Sequence, residues 1–330
     1  MLFRSILLFC YGGELVSAVM LLAASLTGMI SVPILLGVAL VFGACRAFFA
    51  PANNALAPML VPRALLPRAI AFNSLAWQSS AIVGPALAGL LIAPSASLAY
   101  GVVAGLYLAA TLSLMLIRRN TRPQVQPGSR LALVREGLVY VWENKIVFGS
   151  ISLDLVAVLL GGATALAPAF AKDILHVGPL GFGVLRAGPA LGGTLVGLVI
   201  AVTPIRRHAG LFMFCGVGLF GAATVIFGLS TGFWLSVAAL TVLGGADMLS
   251  VFVRQTLVQL VTPDAMRGRV AAVSSLFISA SNELGEFESG LTARFMGLVG
   301  SAVFGGVGAL VATGLWAVWF PTLRKADSLE

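Results

Sequence analysis

Residues 263–291 read PDAMRGRVAAVSSLFISASNELGEFESGL, and residues 62–90 read PRALLPRAIAFNSLAWQSSAIVGPALAGL. Laid over one another without a gap, at an offset of 201 residues, they agree at ten of 29 positions. The identities are Pro62/Pro263, Ala64/Ala265, Arg68/Arg269, Ala71/Ala272, Ser74/Ser275, Leu75/Leu276, Ser80/Ser281, Gly84/Gly285, Gly89/Gly290 and Leu90/Leu291. Both stretches leave a basic segment and run into an apolar one. The same unit therefore occurs twice with the same polarity, which is a parallel repeat about an axis along a membrane normal.

The rest of the chain says what solvent such a unit lives in. Of 330 residues, 59% are apolar and 10% charged, and the mean hydropathy is +1.03. A soluble domain is about 25% charged. Several apolar runs are long enough to cross a hydrocarbon core of about 30 Å. This excludes a soluble enzyme, a disordered chain and a secreted disulfide scaffold. The runs do not alternate with period two, so a transmembrane barrel is excluded as well. Ten spans are predicted, at 5–27, 33–53, 68–93, 97–117, 146–169, 180–202, 209–229, 233–253, 268–292 and 297–319. The start, MLFRSILLFCYGG, has a signal-peptide flavour, but the apolar run continues past a short h-region and reads as a first span.

The net charge is +8 and the pI about 10.1. Sixteen of the 20 basic residues fall on one side if the N-terminus is cytoplasmic: Arg4, Arg63, Arg68, Arg118, Arg119, Arg122, Arg130, Arg135, Lys145, Arg206, Arg207, Arg254, Arg267, Arg269, Arg324 and Lys325. Lys172 and Arg294 fall on the other, and Arg46 and Arg186 within spans. The positive-inside rule accounts for the basic balance without nucleic acid and puts both termini in the cytoplasm. Cys10, Cys45 and Cys215 sit in apolar runs and read as buried free thiols. His176 and His208 are isolated, so no metal site is expected. Gly228-Leu229-Ser230-Thr231-Gly232 matches G-x-S-x-G, but it lies in a short turn between two spans, without the strand that a nucleophile elbow needs. The chain is not expected to be an enzyme.

One long connection, 118–145, divides the chain. It opens with RRNTRPQVQPG and continues as SRLALVREGLVYVWENK, whose apolar residues share a helical face. The expected domains are 1–117, a first bundle of four spans; 118–145, a cytoplasmic linker with an interfacial helix; and 146–330, a second bundle of six.

RAFFAPANNALAPMLVP at 46–62 with NSLAWQSSAIVGPALAGLL at 73–91, and LVQLVTPDAMRGRVAAVSSLFISASNELGEFESG at 257–290, resemble the two halves of a major facilitator superfamily exporter. The resemblance is to the branch that holds enterobactin exporters and macrolide and multidrug efflux relatives, and it covers nearly the whole chain. It implies an all-α fold of two parallel-repeat helical bundles around a cavity that opens alternately to each side. It also implies export of a small amphipathic molecule of siderophore or drug type, driven by a proton gradient and without a cofactor. The expected setting is the cytoplasmic membrane of a bacterium, with substrate and bilayer as partners and a monomer as the working unit. The family has twelve spans, so the chain reads as the fold without its first two helices, the first bundle being helices 3–6 and the second helices 7–12. An importing or uncoupled transporter, or a transport-inactive fragment, are the alternatives.

Ionisable residues inside spans are costly, about 2.5–3.5 kcal/mol each at a span centre, so they are expected to face a cavity or one another. Arg46 and Asp247 occupy equivalent positions of the repeat and, with Asp154 and Glu14, are the expected transport residues. Glu283 and Glu286, three apart on one helical face, are the expected proton carriers. Gly84, Pro85 and Gly89 resemble the antiporter motif of the fifth helix. Physically, the glycines allow close helix approach, and Pro85 bends the span by removing a hydrogen bond. Gly188-Pro189-Ala190-Leu191-Gly192-Gly193 is similar.

Overall fold

The structure, a computed structural model, describes residues 2–60, 65–117, 130–203, 205 and 207–325. The elements are α1 (Leu2–Leu26), α2 (Val32–Leu60), α3 (Leu66–Ile92), α4 (Ala96–Leu116), α5 (Arg130–Glu143), α6 (Lys145–Leu160), α7 (Ala163–Ala169) with a π-helical turn (Phe170–Ile174), α8 (Pro179–Val202), α9 (Ala209–Leu229), α10 (Phe233–Val261), α11 (Asp264–Trp319) and α12 (Pro321–Arg324). Eight helical stretches among the described residues are long and apolar enough to cross a bilayer. Side chains such as Phe9 and Leu40, each 74% exposed, are apolar groups that belong in lipid. The chain is a multi-pass membrane protein. Basic residues 63, 118, 119, 122 and 206, and the linker over 118–129, lie outside the described residues.

The helices form two compact units, Met1–Ser80 with Leu87–Gln126, and Ala81–Ala86 with Pro127–Glu330. In the first, α1 packs on both α2 and α4. The pairing of Leu7 with Ala52 and Leu56, and of Gly13 with Cys45, makes α1 and α2 antiparallel. Arg4 closes the unit's end by donating from Nε and Nη2 to the carbonyls of Leu114 and Met115, 3.3 and 2.8 Å away. These are carbonyls of the last turn of α4, where Leu114 also accepts the capping N–H of Ile117 at 3.3 Å, and a cation there suits the helix dipole.

In the second unit three features depart from simple spans. The stretch 264–319 would be about 80 Å long if straight, far beyond a bilayer. It reverses at Gly297, whose φ of 74° suits a residue without Cβ. Ser301 Oγ donates to the carbonyl of Ser289 at 2.9 Å and pairs with Thr292 Oγ1 at 2.7 Å, contacts that only a folded-back chain can make. Next, the expected span 146–169 is broken at Gly161–Gly162. Gly161 lies under the Phe220 ring and Gly162 against the Gly285 carbonyl, where a Cβ would collide. Then Pro168, inside α7, leaves the carbonyl of Thr164 without its i+4 donor. Arg186 Nη1 reaches across from α8 and donates to that carbonyl at 3.2 Å. Arg186 thus satisfies a backbone group, which explains a cation inside a span.

Helix α5 docks on the same unit. Glu136 pairs with Arg269 of α11, Tyr140 Oη donates to the Val261 carbonyl at 3.0 Å, and Gly137 lies so close to α11 that a Cβ would stand 3.0 Å from the Arg269 carbonyl. Val141, Val147, Ile151, Val258, Val270 and Val273 form the small core beneath it.

Two expectations are corrected. Helix α10 continues to Val261 and not 253, so Arg254 belongs to the helix interior and not to a cytoplasmic loop. Cys10 and Cys45 are buried, whereas Cys215 is exposed.

The close approach attributed to the Gly-Pro motif is realised in α8. A Cβ at Gly192 would strike the carbonyl of Thr241, and one at Gly244 the carbonyl of Pro189. At Gly84 a Cβ would meet nothing within 4 Å. Gly192→Ala is therefore expected to destabilise by about 1–3 kcal/mol, because a backbone carbonyl cannot yield without displacing α10. Gly84→Ala should be neutral or stabilising by up to about 1 kcal/mol. Thermal unfolding of the two purified variants in one detergent checks the contrast, and equal midpoints would contradict it.

Candidate functional site

The charged cluster of the second unit is built from α6 and α10. Asp247, Ser250 and Arg254 follow an i, i+3, i+7 spacing and so share one face of α10. Asp154, Ala157 and Val158, at i, i+3 and i+4, share one face of α6. The two faces meet. Arg254, 1% exposed, places Nη2 3.3 Å from Oδ2 of Asp154, itself 5% exposed. Asp154, Asp247 and Ser250, with Ala157, Val158, Val217 and Phe220, enclose a cavity of about 10 Å³, room for one water-sized group. Arg254 Nε and Nη1 and Ser250 Oγ are buried and make no hydrogen bond among the described residues.

One acid thus pairs with the guanidinium, and a second lines the same small cavity beside spare hydrogen-bonding capacity. With both acids ionised the cluster carries one net negative charge in an apolar surrounding, and a proton on either acid neutralises it. Buried ion pairs seldom stabilise relative to apolar packing, because desolvation offsets their attraction. An arrangement of this kind suits a group that changes protonation or partner better than a structural clamp.

The remaining expected residues fall elsewhere. Glu14 of α1 is buried, lining a larger cavity of the first unit with Ser17, Phe42, Tyr100 and Tyr107. Arg46 of α2 is exposed, within electrostatic reach of Glu14. Glu283 and Glu286 are exposed on α11, whose Ser281, Gly285 and Ser289 form the buried edge; a Cβ at Gly285 would stand 2.6 Å from the Val158 carbonyl of α6. Pro85 is inside α3, and the Gly89 carbonyl accepts the capping N–H of Ala93 at 3.1 Å. Ser230 of the G-x-S-x-G match ends α9, donates to the Gly232 carbonyl and accepts from Ser236 Oγ, both at 3.0 Å; the hydroxyl shapes a turn.

Arg254 and Ser250 are the residues missed in the sequence. The signal was present in their spacing from Asp247, but a span ended at residue 253 leaves Arg254 outside the helix.

The chain as a whole is similar to known membrane transporters. Residues 3–330 match the family model described as Transmembrane secretion effector. The uncharacterized MFS-type transporter YjbB of Bacillus subtilis is 26% identical over 289 residues, 84% of this chain and 68% of its own length. The enterobactin exporter EntS of Citrobacter koseri is 28% identical over 296 residues, 87% of this chain and 66% of its own length. The chain thus spans about two thirds of the relatives it matches. The crystal structure of a POT family transporter in complex with 5-aminolevulinic acid superposes with a TM-score of 0.74 at 10% identity, covering 97% of this chain and 82% of that one. At that identity the likeness speaks for the fold alone.

Truncating Arg254 should show how far the cluster depends on its one cation. Arg254→Met leaves the Asp154 carboxylate buried without a counter-ion and is expected to cost about 3–5 kcal/mol. Arg254→Met combined with Asp154→Leu should recover a large part of that loss. A double-mutant cycle by thermal unfolding gives the coupling, and additive losses would show that the pair does not interact.

Proposed function

Since this chain belongs to the transmembrane secretion effector family of the major facilitator superfamily, we propose that it is a secondary active exporter. It moves a small amphipathic molecule, of siderophore or drug type, outward against proton entry by alternating access. The proton gradient is the energy source, and no cofactor takes part. The relative named as an enterobactin exporter supports the outward direction.

The observation that carries the coupling is the Asp154–Arg254 pair with Asp247 on the same cavity. A proton entering from outside binds Asp154 and breaks its hold on Arg254. The freed guanidinium turns to Asp247, two helical turns earlier on α10. Loss of the proton to the cytoplasm restores the first pairing. The two pairings bias α6 and α10 toward different arrangements, so that proton and substrate act on one two-state element. Glu283 and Glu286, exposed on α11, are an outer stop for the proton.

The setting is the cytoplasmic membrane of a bacterium with both termini inside. The bias of basic residues supports it: with Arg254 reassigned to the bundle, 15 remain on the inner side against Lys172 and Arg294 outside.

Efflux of fluorescent amphiphiles, anionic and cationic, from cells carrying the chain tests the coupling across external pH. Asp154→Asn and Asp247→Asn are expected to lower gradient-driven efflux by about tenfold or more and to flatten its pH dependence. Glu283→Gln and Glu286→Gln should slow efflux and keep the pH response. Efflux by both Asn variants at the parental rate with the parental pH profile would overturn the coupling assignment.

A further inference from the structure

The first unit holds a cavity of about 340 Å³ between α1, α2 and α4, within the size range of small-molecule sites. Its wall is almost wholly apolar, with Leu21, Leu35 and Val38 among the lining side chains. Among the described residues, one charged residue lines it, Glu14, which is 5% exposed. Ser17 turns its hydroxyl to the carbonyl of Gly13, 2.8 Å away, and so adds little polarity. Arg46 acts on Glu14 from the neighbouring helix but is exposed and does not line the cavity.

Aromatic rings stand beside this carboxylate in a connected series. Tyr107 is tilted against Tyr11 with centroids 6.4 Å apart and lies edge-on to Phe42 at 6.5 Å. Tyr11 in turn meets Phe49 edge-on at 5.3 Å. Tyr107 and Phe42 themselves line the cavity, as does Tyr100. A buried carboxylate with aromatic faces at hand attracts a positive charge through ion pairing and through the ring quadrupoles together. An anion would meet repulsion from Glu14. A neutral guest would cover the carboxylate without supplying a counter-charge, at a desolvation cost.

We propose that this cavity binds the cationic end of an amphipathic substrate, an alkylated ammonium carried on an apolar or aromatic body. The inference rests on the exporter reading for the word substrate, and it narrows that reading: the guest is a lipophilic cation and not an anionic chelator. Glu14 supplies the counter-charge, and Tyr107 and Phe42 supply the faces. The site and the Asp154–Arg254–Asp247 cluster lie in different units, so binding and coupling can fail separately.

Equilibrium binding of radiolabelled tetraphenylphosphonium to the purified chain in lipid nanodiscs, with no gradient, tests the site. Benzyltrimethylammonium should displace the label, while neopentylbenzene, its uncharged isostere, should not. That comparison needs no variant. Glu14→Gln is expected to weaken binding about tenfold or more, with Glu14→Asp retaining most of it. Tyr107→Leu should weaken it, and Tyr107→Phe should not, because the ring face and not the hydroxyl is used. Equal displacement by the two isosteres, or unchanged affinity in a folded Glu14→Gln variant, would overturn the proposal. Loss of pH-dependent efflux with this binding intact would bear on the coupling reading alone.

Discussion

Every backbone N–H and C=O within the hydrocarbon must find its partner inside the protein, and the second unit shows how far that constraint reaches. Pro168 removes a donor, and a charged side chain, Arg186, crosses from another helix to serve the Thr164 carbonyl. The break at Gly161–Gly162 is tolerated because its backbone is covered by Phe220, Gly285 and the reversing α11. The reversal at Gly297 is held by hydroxyls that bond across it. Glycines then let carbonyl-bearing backbones approach, as at Gly192 against Thr241 and Gly306 against Gly221. Apolar burial contributes little to holding helices together in lipid, so close packing and such polar contacts carry more of the load.

Against that background the Asp154–Arg254 pair stands apart. Arg186 serves a backbone group, and Arg4 caps a helix end, but Arg254 faces an acid and keeps two nitrogens without a hydrogen bond. A second acid, Asp247, lines the same small cavity as Asp154. The first unit has a different character: its cavity is apolar with one carboxylate and several rings, which is chemistry for holding a guest. If proton and guest do share a two-state element, linkage requires that each alter the other's affinity by the same factor.

Legibility from sequence varied with the kind of force involved. Span positions followed from hydropathy, since lipid exposure leaves a continuous apolar record. A sequence repeat was visible as paired residues, and the membership of a transporter family follows from residues spread over the whole chain. Helix ends were less legible: α2 and α10 continue to Leu60 and Val261, past the point where apolar character fades, because helices extend beyond the hydrocarbon. Ending α10 early turned Arg254 into a loop residue. Gly84 and Gly285 look equivalent in the repeat, yet a Cβ at Gly285 would press on the α6 backbone and one at Gly84 would meet open space. No local property separates them, because the difference lies in which neighbour each helix acquires.

Composition and hydropathy, by themselves, determined that the chain is a bundle of membrane helices, because that property is written in every residue that must face lipid. They also marked Glu14, Asp154 and Asp247 as groups too costly to leave in hydrocarbon. Only tertiary structure decided what each one meets. Asp154 and Arg254 are a hundred residues apart in sequence, and their 3.3 Å contact exists because α6 and α10 turn those faces toward one another. Among the described residues, Glu14 is the one charged group lining an aromatic-edged cavity because α2, next in the chain, and α4, further along it, both pack on α1. Side-chain type sets the energetic cost of burial, but the packing of helices sets the partner, and a partner is what gives a buried charge its chemistry.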